Sequence, residues 1–249
     1  MTAIFKREFK SYFATPVGYI VLAAFYFFLG LFFYMIYSNG SPVVEAVVIQ
    51  MASIAVFALP ILTMRLMSED RRQKVDQVLI TSPVSLTGIV MGKFLAALSV
   101  FGMCFLPTII FEILVAVEVR VNVLYYLYSL LGIMLLGGTL IAIGMFISCL
   151  TESPAISAIL TLVINILVLY MSNFASMITV PQEGSNWFDW IWSKIVGGFV
   201  ILLEKLSFVN VVQDFSTNIF SIADIVYFLS IIAVFIFLSV RSLEKRRWS

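Results

Sequence analysis

The chain has 249 residues, 62% of them apolar and only 12% charged, with a mean hydropathy of +1.08, whereas a soluble domain carries about a quarter charged residues to cover its surface. This composition excludes a cytosolic enzyme, a disordered chain and a disulfide-stapled secreted domain, and it implies several membrane-spanning helices of about 20 residues each. The net charge of +1 says nothing about partners, and no nucleic-acid partner is expected; histidine is absent, and the two cysteines, Cys104 and Cys149, lie in apolar runs, so neither a metal site nor a redox pair is expected.

Residues 1–16 come first. Ile4, Phe5, Phe9, Tyr12 and Phe13 recur at helical spacing opposite Lys6, Arg7 and Lys10, the pattern of a helix lying in the inner membrane interface and turning at Thr15-Pro16. The segment resembles the start of a signal peptide, but the apolar run behind it is too long and ends in no small-residue cleavage site, so it is expected to stay attached.

A charge at the bilayer centre costs a few kcal/mol or more, so charge-free stretches mark crossings. They are 11–44, 46–64, 94–111, 121–151, 153–182 and 225–240, which predicts six spans. Asn39-Gly40-Ser41-Pro42 closes the first near Tyr37, and Ser153-Pro154 opens the fifth with a cap residue and a proline at the first helical position. With the N-terminus inside, 12 of the 15 Lys and Arg residues, Lys93 included, fall in cytoplasmic segments, and only Arg120, Lys194 and Lys205 fall outside. Both termini are therefore expected in the cytoplasm.

Two extramembrane segments stand out. The inner loop from Arg65 to Lys93 holds most of the cytoplasmic charge. Residues 69–80 suit a helix, with Glu69 and Asp70 at its beginning, Val75, Val78 and Leu79 as an apolar stripe, and Ser82-Pro83 as its stop. A stripe on a loop that projects from the bilayer must be covered by anionic lipid, which Arg71, Arg72 and Lys74 would attract, by the protein itself, or by another protein. The outer stretch 176–223 contains Trp187, Trp190 and Trp192, then nine uncharged residues from Ile195 to Leu203 that include Gly197 and Gly198. Nine residues are too few to cross and too apolar for water, so a re-entrant or interfacial hairpin is expected.

Several residues invite sharper readings. Glu112 lies 19 residues beyond Lys93, about 28 Å along a helix, and is expected to snorkel to the outer headgroups. Asn165, inside the fifth span, is expected to make a packing hydrogen bond between helices. Gly132, Gly137, Gly138, Thr139 and Gly144 mark the fourth span as a site of close helix contact. GIVMGKF, residues 88–94, has some likeness to a phosphate-binding loop, but only three residues separate its glycines, Phe94 replaces the metal-binding hydroxyl and no strand precedes it. Gly88 and Gly92 read better as a small-residue packing face. No constellation for intramembrane catalysis is present, so the chain is not expected to be an enzyme.

Leu59-Pro60-Ile61-Leu62-Thr63-Met64-Arg65, Ser68-Glu69-Asp70-Arg71-Arg72, Leu79-Ile80-Thr81-Ser82-Pro83-Val84-Ser85, Gly92-Lys93-Phe94, Phe208-Val209-Asn210 and the closing Arg241-Ser242-Leu243-Glu244-Lys245-Arg246-Arg247-Trp248 together resemble the six-span permease subunits of ABC type-2 transporters, in particular the branch of gliding motility and copper-enzyme maturation. The resemblance implies an all-α polytopic membrane protein: a single permease domain over 1–249, with six transmembrane helices, an N-terminal interfacial connecting helix (1–16, with Phe5, Lys6, Arg7, Phe9 and Lys10), a cytoplasmic coupling-helix loop (68–85) and an outer hairpin (176–223). It implies that Glu69, Arg71, Arg72, Val75, Asp76, Val78, Leu79, Ser82 and Pro83 dock a separate ATPase subunit and that Thr151-Glu152-Ser153 makes a second, smaller contact. ATP and magnesium would belong to that ATPase, with no cofactor in this chain. The further partners implied are a second permease, the same chain or a relative, membrane lipids and an exported accessory protein, and the location is the cell membrane. The rival expectation is a membrane anchor through which a partner ATPase works mechanically on other proteins with nothing crossing.

Overall fold

The computed structural model describes residues 2–40, 43–72, 85–118, 122–178, 194, 196–197 and 222–247. The expectations at Val75, Asp76, Val78, Leu79, Ser82, Pro83, Trp187, Trp190, Trp192 and Gly198 lie outside the described residues; Gly197 is helical.

Everything regular among the described residues is helix: α1 (Thr2–Ala14), α2 (Pro16–Ser38), α3 (Val44–Thr63), α4 (Ser68–Arg72), α5 (Leu86–Met103), α6 (Leu106–Glu118), α7 (Val123–Leu150), α8 (Pro154–Leu169), α9 (Met171–Met177) and α10 (Ile222–Arg247). Five helical stretches are long and apolar enough to cross a membrane: Pro16–Ser38, Val44–Arg72, Leu86–Val117, Val123–Leu150 and Ile222–Lys245. This is a multi-pass membrane protein. The expected fifth crossing falls on α8, whose 16 residues reach about 24 Å at 1.5 Å per residue, short of a bilayer core of about 30 Å; α9 follows it directly after Tyr170.

The breaks between helices have local causes. Pro16 and Pro154 open α2 and α8 at a position where the missing N–H costs nothing, behind extended residues Thr15 and Ser153. Ser153 makes no side-chain cap, contrary to the expectation that it would act as one. The third crossing is not one rod. Pro107 cannot donate to the Met103 carbonyl, the chain makes a tight turn at Cys104-Phe105, and the Tyr26 hydroxyl from α2 donates to Met103 O instead, at 3.1 Å.

α7 is the hub, packed against α3, α5, α8 and α10. Its glycines let neighbours in, as expected for this span. A Cβ at Gly137 would lie 2.0 Å from the Phe101 ring, and one at Gly144 would lie 2.4 Å from Thr63 Oγ1; the absence of a side chain is what allows α5 and α3 to approach this closely. Phe25, Phe101 and Phe105 meet edge to face beside this contact, with ring centroids 5.2–6.0 Å apart. Outward faces carry Ile, Leu, Val and Phe, for example Ile109, Ile113, Val117, Ile159 and Phe237, as a helix bounded by lipid requires.

Candidate functional site

The polar residues of α1, α4 and the start of α5 converge at one end of the bundle. α1 packs along α5 and α2, with Phe5, Phe9 and Phe13 in a row, 5.9 and 5.3 Å between successive rings, and with Lys6, Arg7 and Lys10 exposed. Glu8 breaks the simple amphipathic pattern: it lies on the packed side. Tyr12 is buried and donates its hydroxyl to Leu62 O near the end of α3, at 3.0 Å. Burial pushes the Tyr12 phenol well above its ordinary range, Glu8 adding and Arg65 opposing, so it remains a donor.

Lys93 is the centre of this end. It sits two turns into α5, with 1% of its side chain exposed, and its ammonium is ringed by Leu66 O at 2.6 Å, Asp70 Oδ2 at 2.7 Å and Glu8 Oε1 at 3.3 Å. An ammonium has three hydrogens to give, and here one oxygen comes from α1, one from α4 and one from the turn before α4. Arg7 closes the ring, 2.6 Å from Glu8 Oε1 and 4.0 Å from Asp70 Oδ2. A buried charge is tolerated only with such company. Lys93, expected among the cytoplasmic charges, is thus a buried one: three separate segments close over it.

α4 itself is held from both sides. Arg65 grips Glu69 one turn on with two guanidinium nitrogens, Nη2 at 2.6 Å from Oε1 and Nε on Oε2, a bidentate geometry that fixes direction as well as charge. Ser148 Oγ of α7 accepts the Met67 and Ser68 amides at 3.0 and 2.9 Å. Arg71 donates to Leu150 O at 3.1 Å and pairs with Glu152 at 2.5 Å, so a cation sits against the negative end of α7. Of the residues expected to form the docking site, Glu69 pairs with Arg65 and Arg71 with Glu152, while Arg72 is exposed and makes no described ion pair; Thr151 bonds back to Ile147 O. A cleft of about 440 Å³ opens between α1 and α4, walled by Arg7, Glu8, Tyr12, Arg65, Glu69 and Asp70, and a second touches Arg65, Glu69, Arg72 and Pro154.

Two further expectations need correction. Glu112 does not face outward: with Thr108 and Val115 it lies on the packed face of α6, 7% exposed, and neither carboxyl oxygen has a described partner. Its apolar neighbours Ile109, Ile110, Ile113 and Leu114 take the exposed side. Asn165 is fully buried, yet among the described residues neither of its polar atoms makes the expected packing hydrogen bond.

Long apolar helices around a glycine-lined hub, with a charged helix clamped at one end, make a polytopic helical membrane protein. Residues 1–195 match the model of the family described as ABC-2 type transporter, which is more than half of the chain, and the protein belongs to that family: it is a permease subunit of an ABC transporter. No match was found among curated proteins.

Proposed function

We propose that this permease is the membrane half of an ATP-driven exporter, that its Lys93 end faces the cytoplasm, and that a separate ATPase subunit drives it by gripping the loop that begins at Ser68. What supports the reading is one feature: α4, the root of that loop, is joined to α1 and α5 through Lys93, to α7 through Ser148 and to the head of α8 through Arg71 and Glu152. Force applied to the loop therefore enters four helices at once. Val75, Asp76, Val78, Leu79, Ser82 and Pro83 complete the docking surface in this reading, α1 is the connecting helix, Thr151-Glu152-Ser153 is the smaller contact, and residues 176–223 with their tryptophans roof the path. The functional unit pairs two permeases, each the same chain or a relative, with two ATPases in the cell membrane, with lipid around it and, in the motility-like branch, an exported accessory protein.

The test is the Val78→Glu, Leu79→Glu double substitution in the permease–ATPase complex. Insertion should persist, while ATPase co-purification and permease-stimulated ATP hydrolysis are lost; retention of both removes the loop from the mechanism.

A further inference from the structure

α8 turns an unexpected face to the bundle. Its buried residues are Ser157, Thr161, Asn165 and Leu169, at steps of four, and the first three have no exposed surface. Ser157 Oγ, Thr161 Oγ1 and both polar atoms of Asn165 have no hydrogen-bond partner among the described residues. Small hydroxyls commonly pack between membrane helices by bonding back to their own backbone, as Thr63, Ser99 and Ser239 do here. The α8 residues make no such bonds. The seam they line is shut: α8 packs on α3 and α7, and at Gly144 an added Cβ would stand 2.9 Å from Thr161 Cγ2 and 2.4 Å from Thr63 Oγ1. Three fully buried polar residues in a row, with four unsatisfied atoms, fit a surface that is wet in another arrangement of the same helices.

The structure also contains the lever. Ser148 near the end of α7 and Glu152 just before α8 are both held by the α3–α4 region, through the Met67 and Ser68 amides and through Arg71. Movement of α4 pulls on the joint between the two helices that close the seam.

We propose that the seam between α8 and the α3–α7 pair opens during the transport cycle and takes water, together with uncharged hydroxyl- or amide-bearing parts of the cargo, onto Ser157, Thr161 and Asn165. The stripe holds no charged side chain, so an ionic group finds no counter-charge on it. The inference rests on the reading of α4 as the root of the coupling loop.

Single cysteines test it, introduced as Ser157→Cys, Thr161→Cys and Asn165→Cys in a Cys104→Ala, Cys149→Ala background of the permease–ATPase complex in nanodiscs, with Ile159→Cys on the outward face as control. A charged, membrane-impermeant methanethiosulfonate should modify positions 161 and 165 about tenfold faster during ATP turnover than without nucleotide, with position 159 unchanged. Equal rates while ATP hydrolysis proceeds overturn the seam and leave the coupling loop standing; a complex whose ATP hydrolysis does not respond to the permease overturns both. A second arm needs no cysteine. Thr161→Val with Asn165→Leu removes three of the four unsatisfied atoms at nearly constant shape, so the unfolding temperature should rise while stimulated ATP hydrolysis falls several-fold with the ATPase still bound. Higher stability with unchanged hydrolysis would make the stripe a packing feature and end the proposal.

Discussion

Lys93 and Glu112 are buried ionisable residues on the same crossing, one near each end, and they are treated in opposite ways. Lys93 has three oxygens from three segments within 3.3 Å, whereas Glu112 has no described partner for either oxygen. Burying a charge costs several kcal/mol unless partners return it, so the two residues answer different needs. At the Lys93 end the compensation itself is the structure: α1, α4 and α5 are one unit because their charges cannot be separated cheaply. At the Glu112 end the carboxyl itself fastens nothing among the described residues, and it is a cost borne by the rest of the fold.

Lys93→Met sharpens this contrast most. It takes from Asp70 its nearest cation and leaves Glu8 with Arg7 alone, and thermal or denaturant unfolding in detergent should show a loss of about 3–5 kcal/mol. Adding Glu8→Gln and Asp70→Asn to Lys93→Met should recover at least half of that loss, because the stranded charges go with their partner; no recovery would mean that Lys93 acts through packing alone. Tyr12→Phe removes one buried hydrogen bond to Leu62 O and should cost about 1 kcal/mol in the same measurement. Glu112→Gln should be neutral or stabilise by up to about 1 kcal/mol, and a large destabilisation there would break the comparison. Smallest is Glu152→Ala: its side chain is 72% exposed, so the pair with Arg71 contributes at most about 1 kcal/mol and should fade as salt is raised.

What could be read beforehand divides along the same line. Five of the six expected crossings were legible because the bilayer imposes a one-dimensional rule, and Pro16, Pro154 and the α7 glycines speak for themselves along the chain. The Lys93 cluster was not, since its partners lie 23 and 85 positions away and only tertiary packing brings them together. A signal existed nonetheless: Glu8 is the lone acid on a basic helix, and Lys93 stands in apolar sequence on both sides. The direction of Glu112 could have been read from Ile109, Ile110, Ile113 and Leu114, which claim the lipid face and leave the carboxyl the other. Asn165 was located correctly but its missing partner was not foreseeable, because satisfaction depends on what the facing helices offer.

The interruption at Cys104-Phe105 gives the third crossing a swivel. Two rods meet where Pro107 withholds its hydrogen, and the phenol of Tyr26 pins the joint from the neighbouring helix. The lower rod carries Lys93 and the upper rod Glu112, and the upper rod has fastenings of its own: Thr108 bonds Tyr126 at 2.8 Å and Phe111 stacks on Phe33 with ring centroids 4.2 Å apart.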